Sequence, residues 1–128
     1  MGRFLLICLG GAIGTGLRYV TTVAAAQWLG AEFPYGTLIV NLVGSFVIGF
    51  VQQLGLEALA IPDDVRLFLA TGIMGGLTTY SAFSYETVRL FEAGAWSQAG
   101  VNVVVTTAGS LLLCVIGIAA GRGLMLAR

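Results

Sequence analysis

Asn102, Thr106, Ser110 and Cys114 recur every four residues inside an apolar run, a spacing that on a helix makes one continuous polar stripe. In an earlier run Thr37, Asn41, Ser45 and Gln52 fall near one helical face, with Gly44 adjoining it. A third set lies in GGLTTYSAFSYE, residues 75–86, where paired glycines and paired threonines precede Tyr80 and Phe83. Those two rings are three residues apart and so project from one face. Arg18 is the one clear charge well inside an apolar run.

This inventory has a sign. It holds hydroxyls, amides and a guanidinium, all donors, and it is poor in carboxylates. A cation pathway usually shows acidic rings and a proton-coupled transporter a buried Asp or Glu, and neither pattern is present. Aromatic rings add a positive edge that can stabilise an anion without a strongly hydrated ammonium. The donors therefore suit a small anion. Structural uses compete with this reading for every residue: single hydroxyls bond back to their own helix, small polar residues glue helices together, and paired rings pack. Arg18 can snorkel, cap a broken helix or bond backbone carbonyls. Glu86, near the end of its run, reads as an interfacial residue and not a proton carrier.

The elements that must position these residues are membrane helices. The chain has 128 residues, 58% hydrophobic and only 9% charged, against roughly a quarter charged in soluble domains. Apolar runs extend over Phe4–Leu29, Gly36–Leu59, Val65–Phe91 and Trp96–Leu126, each at or above the roughly 20 residues that cross a bilayer. An all-α membrane protein with four spans in one domain, residues 1–128, is expected. The connections, around Gly30–Tyr35, Ala60–Asp64 and Glu92–Ala95, leave no room for a second domain, and Pro34 and Pro62 mark two of them. Met1-Gly2-Arg3 and Ala24-Ala25-Ala26 mimic a signal peptide, but Arg18 and the length of the run make it a first span.

Net charge is zero with no lysine or histidine, so no basic patch for nucleic acid and no imidazole chemistry are expected. Cys8 and Cys114 lie in separate spans, which argues against a disulfide framework or a metal cluster. Arg3, Arg66, Arg122 and Arg128 fall on one side and Arg89 on the other, a lean toward cytoplasmic termini. Glycines mark the contact faces: Gly10, Gly11 and Gly14; Gly44 and Gly49; Gly109, Gly117 and Gly121. A subunit this thin suggests a homo-oligomer. The third span is expected to break at Gly75-Gly76, with Thr78 and Thr79 satisfying freed backbone groups, because paired glycines lower helix propensity by roughly 1 kcal/mol each. Freed carbonyls can hold a cation, and a new helix N-terminus favours an anion.

Three motifs, GGAIGTGLRY at Gly10–Tyr19, FPYGTLIVNLVGSFVIG at Phe33–Gly49 and GGLTTYSAFSYE at Gly75–Glu86, resemble the Fluc/CrcB fluoride channel family, in the right order and across essentially the whole chain. The resemblance implies an antiparallel, dual-topology homodimer in the inner (plasma) membrane, two fluoride pores and a structural sodium ion at the dimer centre. It implies that Asn41 is the pore-lining amide, that Phe83 is the second of a pair of rings facing fluoride, and that Thr106 and Ser110 lie on a polar track. It further implies that the main-chain carbonyls of Gly75 and Thr78 hold sodium, and that Arg18 is the arginine of the first-helix motif, structural or at a vestibule. The expected function is passive fluoride export that relieves fluoride toxicity; the protein is not expected to be an enzyme.

Three features depart from the family pattern. Tyr80 stands where a first phenylalanine is typical, Cys114 extends the track where a hydroxyl would be a stronger donor, and the arginine count favours one orientation. The rival reading is a small multidrug-resistance-type proton-coupled transporter, which needs a carboxylate in the first span. A non-transporting assembly subunit would use the glycine faces but leave the stripe, the break and the rings without a role.

Overall fold

The computed structural model describes residues 1–56 and 61–127, and every regular element among them is helical. α1 covers Gly2–Leu29, α2 Tyr35–Leu56 and α6 Trp96–Leu126, three helices long and apolar enough to cross a membrane. This is a membrane protein. The end of the expected second span, at Leu59, the start of the next connection at Ala60, and Arg128 fall outside the described residues.

The run expected as a third span is two half-helices. The first is built from α3 (Asp63–Arg66), a π-helical segment (Leu67–Met74) and α4 (Gly75–Leu77); the second is α5 (Tyr80–Glu92). Between them Thr78 (φ −78°, ψ 153°) and Thr79 (φ −154°, ψ 114°) are extended. The break thus falls at Thr78–Thr79 and not at the paired glycines, which stay helical. Propensity is a weak prior, and here packing overrides it: a Cβ on Gly76 would collide with the Gly11 carbonyl oxygen and stand 3.0 Å from the Thr15 nitrogen of α1. Gly76 serves close approach; the break belongs to the threonines.

The expected contact glycines act in the same way. A Cβ on Gly10 would lie 2.8 Å from the Phe68 carbonyl oxygen, one on Gly14 would overlap the Ile73 carbonyl oxygen, and one on Gly117 would overlap that of Phe46. Gly11 differs, since a Cβ there meets nothing and only its carbonyl is in contact. These approaches set α1 against the π segment and α2 against α6, the two broadest packing faces. Buried Val40, Met74 and Leu77, with Val47 and Ile73 against them, form a small core where α2 meets the first half-helix.

α2 runs antiparallel to α1 and α3 starts at the same end as α1: Gly36 of α2 abuts Thr22 of α1, and Arg3 at the start of α1 pairs with Asp64 of α3 at 2.8 Å. Arg66 pairs with Asp63 at 3.3 Å at the same end. Such exposed pairs each contribute roughly 0–1 kcal/mol and mark position more than stability. α5 closes with Gly94 at φ 76°, and the Ala95 N–H donates to the Leu90 carbonyl at 2.9 Å, the six-to-one bond of a Schellman motif.

Candidate functional site

The Thr78–Thr79 break is held by a residue from another helix. Asn41 Oδ1 accepts from the Thr79 N–H at 2.7 Å, and Asn41 Nδ2 donates to the Thr79 carbonyl at 3.0 Å. One buried amide therefore satisfies both backbone groups of the residue that leaves the helix. Thr79 is also the N-cap of α5, its Oγ1 accepting from the Ala82 N–H at 3.2 Å. Its signature, a threonine just before a new periodic run, was available in the sequence, but its amide partner lies 38 residues away.

This pairing has a second effect. In a continuous helix the Thr79 N–H would bond the Gly75 carbonyl and the Ala82 N–H the Thr78 carbonyl. Asn41 and the Thr79 hydroxyl take those two donors instead, leaving the Gly75 and Thr78 carbonyls without them. Gly75 sits on the exposed surface of the single chain, and no group of three or more His, Cys, Asp or Glu side chains able to hold a metal is found among the described residues. Main-chain oxygens are hard donors of the kind that a hard cation takes.

Around the break, α2, α5 and α6 enclose a groove of about 370 Å³. It brings together Asn41, Thr78, Tyr80, Phe83, Thr106 and Ser110 of the expected set, and adds Ser45, Thr79 and Thr107. No carboxylate among the described residues lines it. Phe83 is buried; Tyr80 is 80% exposed in the single chain, with its ring centroid 5.5 Å from that of Phe83 and the planes tilted 55°. Arg18, half-buried on α1, is not among the lining residues, and neither is Gly75. Cys114 is turned toward α2, where a Cβ on Gly49 would stand 3.2 Å from its Sγ.

Several hydroxyls already have work. Ser45 Oγ donates to the Asn41 carbonyl at 2.7 Å and Thr78 Oγ1 to the Met74 carbonyl at 2.9 Å, back-bonds within a helix. Thr37, grouped in sequence with Asn41, donates instead to Glu86 Oε1 at 2.8 Å and so ties α2 to α5. Glu86 therefore does more than mark an interface, and its Oε2 is buried without a hydrogen-bond partner among the described residues. It lines a separate crevice of about 410 Å³ between the α1–α2 connection and the end of α5. Gln52 is exposed and accepts from Arg66 at 3.4 Å, away from the groove. Thr87, which sequence patterning left out, is buried in a bond from Asn102 Nδ2 at 2.9 Å.

The family model described as "CrcB-like protein, Camphor Resistance (CrcB)" matches residues 5–118. A "Fluoride-specific ion channel FluC" of Anaeromyxobacter sp. (strain K) is 48% identical over 112 residues, 88% of this chain and 89% of that protein. Proteins of the same name from Roseiflexus sp. (strain RS-1) and Chelativorans sp. (strain BNC1) are 46% identical over 121 residues and 42% identical over 125. The latter match covers 98% of this chain and all of the relative.

Proposed function

From the premise that the chain belongs to the CrcB family, a family of channels and not of enzymes, we propose that it conducts fluoride passively out of the cell and so relieves fluoride toxicity. The observation that carries the proposal is the groove that donors of α2 and α6 line together with Phe83, with no carboxylate among the described residues lining it. The working form is an antiparallel, dual-topology homodimer of four-span subunits in the inner (plasma) membrane, with α3 to α5 as the broken third span. Its surface supports this: long stretches of α1 and α6 are apolar and exposed, as for lipid contact, and Tyr80 is exposed in the single chain, where a second copy would cover it.

Fluoride is small and strongly hydrated, so selective passage requires replacement donors in a lining too narrow for a larger halide. Asn41 spends one N–H on Thr79 and keeps the second. Ser110 and the Tyr80 hydroxyl add further donors along the groove, and the edge of Phe83 offers partial positive charge without a tight bond. The contacts must be shared and weak enough for the ion to leave. A sodium ion would sit at the break, where the freed Gly75 and Thr78 carbonyls would hold it and it would supply fixed positive charge between two copies. A proton-coupled transporter would require a carboxylate in α1, which contains none.

The test is purified protein in liposomes loaded with potassium fluoride, with an electrode following fluoride release after valinomycin. Rapid release of fluoride and not chloride is expected; absence of release, or equal release of both, would sink the proposal. Phe83→Ile is expected to slow fluoride release by about tenfold or more while leaving the dimer intact, on the premise that the ring edge is used by the ion in passage. Unchanged release would remove the ring from the pathway. Exchanging sodium for a larger cation is expected to reduce release or dimer stability. Indifference to that exchange would remove the ion from the proposal.

A further inference from the structure

We propose that Asn102 is a positioning residue which fixes the direction of one hydrogen-bond chain, from the Thr106 hydroxyl through the Asn102 amide and the Thr87 hydroxyl to the Phe83 carbonyl. It would thereby set the Phe83 ring and reserve the Thr106 proton. This inference rests on the fluoride reading above and names what orders that same groove.

The chain has one consistent direction. Thr87 Oγ1 lies 2.7 Å from the Phe83 carbonyl oxygen, an acceptor only, so the Thr87 proton must point there. The neighbour of Thr87 must then donate, which assigns the atom 2.9 Å away to the amide nitrogen of Asn102. That orientation leaves Asn102 Oδ1 facing Thr106 Oγ1 at 3.2 Å, and Thr106 must give its proton to it. Asn102 is 1% exposed and Thr87 and Thr106 are each 7% exposed, so the bonds between them are buried.

The consequence reaches both walls of the groove. α5 is cut off from the preceding half-helix by the Thr78–Thr79 break, and it packs on α6 more than on α2. The chain ties the carbonyl of Phe83 itself to α6, one residue at a time, and so sets where the ring stands. On the other wall, Thr106 lines the groove with its proton already committed, whereas no side-chain bond among the described residues engages the Ser110 hydroxyl. The polar track of α6 therefore divides into a residue that orders the site and a residue that offers a donor to fluoride.

The test is fluoride release from liposomes, scaled to the amount of folded dimer, for Asn102→Leu, Thr106→Val, the double variant, Thr87→Val and Thr87→Ser. Each of the three single variants that cut the chain is expected to lower release about tenfold, and the double variant no further than Asn102→Leu alone, because residues acting as one unit are not additive. Thr87→Ser, which keeps the hydroxyl, is expected to stay within about twofold of the unaltered protein. A double variant showing the product of the two single losses would overturn the proposal, since Thr106 would then meet the ion independently. The near-isosteric Thr87→Val guards against misfolding of Asn102→Leu. Should the unaltered protein release no fluoride, the channel reading fails alone. The chain is then read by amide hydrogen exchange, with Thr87→Val expected to speed exchange in residues 80–92 by about tenfold and unchanged protection overturning it.

Discussion

Asn41→Ala is expected to abolish fluoride release and to lower thermal stability in detergent by on the order of 2–4 kcal/mol, because each of two buried backbone groups loses its partner. The amide now satisfies the N–H and the carbonyl of Thr79 at 2.7 and 3.0 Å, and both residues are buried, Asn41 8% and Thr79 7% exposed. Without it the cheapest repair is for the Thr79 N–H to return to the Gly75 carbonyl and continue the helix. That repair would turn α5 about its axis, carry Tyr80 and Phe83 out of the groove and close the carbonyl proposed for sodium. Thermal melting with the release assay checks this. A variant that melts and conducts like the unaltered protein would show that the break holds itself.

Gly14→Val is expected to remove the folded protein altogether, seen as loss of the monodisperse peak in size-exclusion chromatography. The first side-chain carbon at Gly14 would occupy the space of the Ile73 carbonyl oxygen and stand 2.8 Å from the Leu77 nitrogen. Backbone on both sides of that contact cannot step aside as a flexible side chain would, so α1 and the first half-helix must separate. Gly16→Ala, two residues on, is the control. A Cβ there meets nothing within 4 Å, and helix propensity alone favours alanine by roughly 1 kcal/mol. Equal loss from both variants would show that the contact face is not where the backbone places it.

These two residues differ in how much of their role could be read along the chain. The glycine spacing on α1 already marked a contact face, since in lipid only small residues let backbones approach. For Asn41 the sequence supplied an amide in need of a partner, but not the partner. The break illustrates the same limit. Two adjacent glycines are the stronger local signal, yet they stay helical because α1 presses on Gly76, and the extended pair is chosen by Asn41 reaching across from α2. The π-helical turn over Leu67–Met74 leaves no sequence trace, its run LFLATGIM being apolar without a period. The stripe of α6 was legible as a line of polar positions, but its four members face different neighbours. Asn102 and Thr106 join the chain to α5, Ser110 faces the groove and Cys114 faces Gly49.

The sequence by itself determined the solvent and the chemistry: apolar runs long enough to be membrane helices, and a polar inventory rich in donors and poor in carboxylates. Only the tertiary structure decided which donors are spent and which remain. A hydrogen bond has a direction, and that direction is settled by partners on other helices, at Thr79 for Asn41 and at Thr87 for Asn102, which meet only once the glycine faces have closed.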